Sequence, residues 1–278
     1  MTTTGRPAAA DRAPDEAERA GHARSAGLAL DSVPAIVRRL TAELTGTAFL
    51  VAGVVGSGIM AQRLTDDRGL QLLQNAAATA GVLVALILAL GAASGAHFNP
   101  AVTLVDRVFG GIDTPTAIGY VIAQVVGAIL GAIAANVMFD LPAVEWSTTA
   151  RSGGNLWFAE AIATLGLLVV IFGVVRSGRS TVAAFAVAGY IAGAYYFTSS
   201  TSFANPAVTI GRAFSDSFAG IEPASVPMFI VAQLVGAGLA TGVILVIYPR
   251  VAQVAGDVIV PHGGDESANG AEGGGSAR

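Results

Sequence analysis

The tripeptide Asn-Pro-Ala occurs twice, at Asn99-Pro100-Ala101 and Asn205-Pro206-Ala207, in the near-identical frames HFNPAVTL and SFANPAVTI. Asn followed by Pro starts a helix: Pro fixes φ for the first turn and lacks an N–H that would have had no partner there, while Asn caps from just outside. The apolar run after each Pro is far shorter than the ~20 residues that cross a bilayer. Yet the 278-residue chain is 53% hydrophobic and only 12% charged, which excludes an ordinary soluble globular domain. Each motif therefore predicts a half-helix that enters a membrane and ends inside it. A helix start at that depth must be packed in protein or line a wet cavity.

Six segments are apolar over about a membrane-spanning length: about 40–60, 76–93, 116–139, 156–175, 181–200 and 226–248. Residues 1–35, rich in Ala, Arg, Asp and Glu, lack the apolar core of a secretory signal, and residues 251–278 are rich in Gly. Both read as disordered cytoplasmic tails around a membrane domain over 36–250. Lysine is absent, so orientation rests on arginine: Arg6, Arg12, Arg19, Arg24, Arg38 and Arg39 precede the first span, Arg176 and Arg179 separate the fourth and fifth, and Arg250 follows the sixth. The opposite side holds Arg63, Arg68 and Arg151, so the positive-inside rule puts both termini in the cytoplasm. The absence of cysteine excludes disulfides, thiolate metal sites and cysteine nucleophiles. His22 and His262 lie in the tails, far from His97, so neither a metal site nor an enzyme constellation is expected, and no cofactor is implied. The net charge of −4 owes much to the tails and points to no nucleic acid.

Three features recur in order. A Glu lies in an apolar span (AELTGTAFL with Glu43, AEAIATLGL with Glu160), the Asn-Pro-Ala frame follows, and a Gln-bearing span closes the unit (YVIAQVVGAILGA with Gln124, FIVAQLVGAGLAT with Gln233). The halves run about 36–140 and 153–250. Three spans per half is an odd number, so the second copy is inverted, an arrangement that places functional sites near the midplane where discontinuous helices meet.

The two Asn-Pro-Ala motifs, the stretch SGAHFNPAVT over 94–103, the paired glutamates and the inverted duplication together resemble the aquaporin and aquaglyceroporin superfamily over about 40–250. The resemblance implies an all-α membrane fold with six transmembrane helices and two re-entrant half-helices in an inverted 3+3 repeat. It also implies a homotetramer with one pore per subunit in a bacterial inner (plasma) membrane. Asn99 and Asn205 would donate their amides to solute, and Glu43 and Glu160 would brace the re-entrant loops. Facing half-helix starts, each worth about half a positive charge, would raise the energy of a cation at the centre. Glu43 and Glu160 could instead relay protons in a coupled carrier, but no second ionisable residue lies in either span to receive one. His97 either donates to a carbonyl of its own loop or presents a polar atom to the inner vestibule. Gln124 and Gln233 are expected to hydrogen-bond between helices, and the pairs Gly91/Gly95, Gly127/Gly131 and Gly189/Gly193 to permit close helix packing.

In most of the family an Arg directly follows the second Asn-Pro-Ala and walls the narrowest ring; here Val208 stands there. Spacing from the two Asn residues transfers the ring to Thr79, Gly193, Ser202 and Val208, which carry no charge and no aromatic bulk. Such a ring should be wide and pass solutes larger than water. Arg212, one turn beyond Val208, is expected to snorkel to the outer interface, the alternative being that it places its charge at the outer mouth and partly replaces the missing ring Arg. The resemblance implies a passive channel for small uncharged solutes. The Arg-less ring and NPAVTIGR resemble bacterial members associated with arsenic resistance, so arsenous acid, As(OH)3, is the first expected solute, glycerol-like polyols the next, with water also passing. The other readings are a water-dedicated channel, a proton-coupled carrier using Glu43 or Glu160, and a structural protein with a closed pore.

Overall fold

A computed structural model describes residues 33–249, so the expected tails, 1–35 and 251–278, fall almost wholly outside the described residues. The chain divides into two units, 1–38 and 39–278. Of the first, residues 33–38 are described, and there Pro34 O accepts from Val37 N and Arg38 N at 3.0 and 3.2 Å as the first helix starts.

The helices are α1 (Ala35–Leu64), α2 (Arg68–Ser94), α3 (Pro100–Phe109), α4 (Thr114–Met138), α5 (Gly154–Arg176), α6 (Ala183–Phe197), α7 (Pro206–Arg212) and α8 (Val226–Ile247). Short 3-10 turns at Ser180–Val182 and Pro223–Ser225 lead into α6 and α8, and no strand occurs among the described residues. All but α3 and α7 are long and apolar enough to cross a membrane, α6 together with its preceding turn. The chain is thus an all-α membrane protein of six spans and two half-helices. At 1.5 Å per residue, the 10 residues of α3 and 7 of α7 reach about 15 and 10 Å. Neither crosses the ~30 Å hydrocarbon core alone, but end to end they nearly do.

Local chemistry sets the helix ends. Asp67 caps α2 by accepting from Leu70 N at 2.9 Å, and Asp113 caps α4 by accepting from Thr116 N at 2.8 Å. Gly95 ends α2 at φ 85° and Gly110 ends α3 at φ 87°, left-handed positions that cost glycine nothing. Each half-helix packs against α4 of the first repeat and α8 of the second.

Close approach depends on particular glycines. A Cβ at Gly127 or Gly131 of α4 would overlap the carbonyl oxygen of Leu44 or Ala48 on α1, and one at Gly236 of α8 would overlap Ala161 O on α5. Gly127 and Gly236 hold the same place in the two repeats, three residues after Gln124 and Gln233. The expected pair Gly189/Gly193 does not pack this way: both lie on the exposed face of α6, and an added Cβ meets nothing within 4 Å. Gly91 and Gly95 serve the end of α2, where Gly95 N donates to Gly91 O at 2.8 Å.

This contrast is testable on one helix. Gly236→Val should lower thermal stability in detergent by the equivalent of about 1–3 kcal/mol, the usual cost of overpacking. Gly238→Val, two residues away in open space, should leave the unfolding midpoint unchanged. Equal midpoints for both variants would contradict the packing described.

Candidate functional site

The loops that enter α3 and α7 carry main-chain N–H groups where no water-exposed partner is available, and two buried carboxylates accept them. Glu43 Oε1 accepts from Ser94 Oγ at 2.6 Å and His97 N at 3.0 Å, and its Oε2 from Phe98 N at 2.7 Å and Gln124 Nε2 at 2.7 Å. Glu160 repeats the pattern with Phe203 N at 2.8 Å, Ala204 N at 2.9 Å and Gln233 Nε2 at 2.7 Å. Gln124 and Gln233 each also donate to the Thr four residues past the motif Asn, Thr103 at 2.9 Å and Thr209 at 2.8 Å. Both glutamates are fully buried. Non-glycine residues at positive φ sit at matched places before each Asn: Ala96 and Ser202, then Phe98 and Ala204. Such residues cost of order 1–3 kcal/mol each and persist only where surrounding bonds hold them.

Asn99 and Asn205 cap their half-helices, accepting from Ala101 N at 2.9 Å, and from Ala207 N at 3.0 Å and Val208 N at 3.2 Å. Their amides also cross the repeat boundary: Asn99 Nδ2 donates to Ala204 O and Asn205 Nδ2 to Phe98 O, both at 2.8 Å. Each amide spends one N–H on the other loop and keeps the second, and both Asn residues border the lumen. Pro100, Ala101, Pro206 and Ala207 are the buried first turns behind them.

A narrow lumen of about 60 Å³ passes these residues, and a vestibule of about 620 Å³ lies at the α7 end. Thr79, Ser202 and Val208 line the lumen, and Gly193 does not. On α6 the inward residues are Val187, Ile191 and Tyr195, spaced by four, whereas Gly193 shares the outward face with Phe185 and Tyr196. The lumen-facing residue on α6 is corrected from Gly193 to Tyr195, whose hydroxyl lies 3.0 Å from Thr79 Oγ1. The lumen therefore contains an aromatic side chain that sequence spacing missed.

Arg212 follows the second of its two expected placements, at the mouth of the lumen. It is 2% exposed and borders both lumen and vestibule, so it does not snorkel to an outer interface. Its Nε donates to Ala219 O, and its guanidinium carbon lies 3.4 Å above the centre of the Phe203 ring. His97 lines the opposite end of the lumen, with Nδ1 3.1 Å from Thr103 Oγ1 and Nε2 3.7 Å from Asp106. Asp106, buried on α3, was missed by sequence reading. The available signal was its offset, seven residues after Asn99, as Arg212 is seven after Asn205.

Paired re-entrant half-helices braced by buried carboxylates around a lumen define a membrane channel. The chain belongs to the major intrinsic protein family, whose sequence profile it matches over residues 30–192 and 179–271. It is 48% identical over 202 residues to the aquaglyceroporin AqpS of Rhizobium meliloti (strain 1021), covering 73% of this chain and 86% of that one. It is 34% identical over 158 residues to aquaporin NIP1-2 of Arabidopsis thaliana, covering 54% of this chain and 53% of the relative. Its fold is like that of the aquaglyceroporin from Plasmodium falciparum, with a TM-score of 0.57 at 23% identity, over 78% of this chain and 99% of that one. The protein is an integral multi-pass channel for small solutes, not an enzyme.

Glu160→Gln leaves one acceptor oxygen for three donors and turns an amide N–H₂ toward one of them. The variant should lose the equivalent of about 1–3 kcal/mol, the cost of an orphaned buried donor, read as a lower unfolding midpoint in detergent. An unchanged midpoint would remove Glu160 from its bracing role.

Proposed function

We propose that this channel passively conducts small uncharged hydroxylated solutes, glycerol-like polyols and arsenous acid, with water also passing. The observation that carries the reading is the two-sided lining. The hydroxyls of Thr79, Tyr195 and Ser202 and the free N–H groups of Asn99 and Asn205 offer polar partners, while Leu50, Leu83, Leu167 and Ile191 offer an aliphatic wall. A polyol has hydroxyls to exchange for water and a C–H edge that suits the apolar side, whereas an ion entering the lumen loses hydration without repayment. Arsenous acid presents three hydroxyls and no charge at neutral pH, so it meets the same partners. With Tyr195 in the ring, this reading rests on solute chemistry and not on a wide opening. The similarity to a relative named an aquaglyceroporin supports it.

Water-dedicated conduction is disfavoured by the extent of aliphatic wall. A carrier titrating Glu43 or Glu160 is disfavoured because both oxygens of each carboxylate already accept hydrogen bonds. The arginine distribution supports cytoplasmic termini in a bacterial inner membrane, with 36–250 as the channel domain and 1–35 and 251–278 as tails. Apolar residues exposed along the spans, such as Phe49, Leu88 and Phe158, suit lipid and neighbouring subunits of a homotetramer.

Stopped-flow light scattering on reconstituted vesicles tests the solute. Wild type should pass glycerol, arsenous acid and water without any ion gradient, and Val208→Arg, which adds a guanidinium to the lumen, should cut the two larger fluxes about tenfold more than that of water. Water flux alone in wild type would establish the water-dedicated reading, and accumulation driven by a proton gradient would establish a carrier. Equal retention of all three fluxes in the variant would place Val208 outside the constriction.

A further inference from the structure

We propose that Arg212 supplies the fixed positive charge and one wall of the constriction, reaching back from one turn beyond Val208; this assignment rests on the channel reading above. Four observations converge. Arg212 is buried yet borders both the narrow lumen and the vestibule, which puts its side chain at their junction. Its orientation is fixed from two directions: Nε donates to Ala219 O, and the guanidinium face lies on Phe203, itself held edge-to-face by Phe229 with ring centres 5.2 Å apart. Among the described residues no carboxylate lies within 4.0 Å of it and only Nε has a hydrogen-bond partner, so the Nη groups remain as donors and the charge is not neutralised by an ion pair. The fourth observation comes from the inverted repeat. In each half the residue seven after the motif Asn meets the residue two before it, Asp106 beside His97 and Arg212 over Phe203. That position is therefore built to reach back along its half-helix toward the lumen, where both His97 and Phe203 are lining residues.

The vestibule adds two further cations, Arg68 and Arg151. The Arg151 guanidinium carbon lies 5.0 Å from the centre of the same Phe203 ring, and its side chain is tied down by Nε to Gly220 O at 2.8 Å and Nη2 to Phe218 O at 3.3 Å. Asp66 and Asp216 also border the vestibule, but Arg212 is the charged group that reaches the lumen itself. Its role is twofold: the charge repels cations at the entrance, and the planar guanidinium on Phe203 sets the bore while its free donors receive solute hydroxyls.

Wild type, Arg212→Gln and Arg212→Lys are reconstituted and compared for proton leak with a pH-sensitive dye, and for glycerol and ribitol flux by stopped flow. Arg212→Gln removes the charge and should raise leak about tenfold, while Arg212→Lys keeps it and should leak like wild type. Both lack the planar stacked group, so both should raise the ribitol-to-glycerol ratio several-fold. Leak and ratio within twofold of wild type in both variants would overturn the assignment. Should Arg212→Gln fail to fold, Arg212→Lys decides alone: an unchanged ratio overturns the proposal and a raised one upholds it. A folded wild type that passes no glycerol would contradict the solute reading, and the leak comparison would still judge Arg212.

Discussion

Main-chain N–H groups cannot be left unpaired at the depth of a bilayer, and two half-helices that start there expose several at once. In this chain the groups of His97, Phe98, Phe203 and Ala204 all end on Glu43 or Glu160. A carboxylate suits this task because, when ionised, it accepts on both oxygens and donates on neither. With the N–H groups held at that side, the loops keep left-handed turns at Ala96, Phe98, Ser202 and Ala204 that ordinary side chains resist. Those turns bring each Asn to the other repeat's carbonyl, and the reciprocal bonds close the midplane.

The lumen follows from that closure. Once Asn99 and Asn205 are locked back to back, each can offer a single remaining N–H, and the walls are completed by whatever the spans turn inward. α2 turns in Thr79, Leu83 and Ile87, and α6 turns in Val187, Ile191 and Tyr195, both at helical spacing. The repeats match in their braces and differ at the ends: a histidine and an aspartate at the α3 end, a phenylalanine and an arginine at the α7 end. The pseudo-symmetric frame thus carries an asymmetric pair of mouths.

The frame was legible in the sequence because polar residues are conspicuous in apolar spans. Glu43, Glu160, Gln124 and Gln233 stand out, and their order repeats. The lumen-facing residue of α6 was not legible, because counting back from Asn205 fixes a distance along the chain and not a helical phase; the segment 198–204 leaves the helix, and Tyr195 is the residue that faces inward. Of the two placements expected for Arg212, snorkelling fails for a different reason. Snorkelling assumes a lipid-facing helix, but α7 is enclosed by α4 and α8, and Phe203 and Ala219 hold the side chain inward. The Asn-to-carbonyl bonds between repeats depend on where two loops meet in space, which spacing alone does not give.

Amide hydrogen exchange resolved along the loops tests the bracing most directly. The N–H groups of His97, Phe98, Phe203 and Ala204 should be among the slowest to exchange, although they lie outside any helix, and Glu160→Gln should speed exchange at Phe203 and Ala204 while leaving His97 and Phe98 slow. Exchange at all four in wild type as fast as in the connecting segment 141–152 would contradict the account.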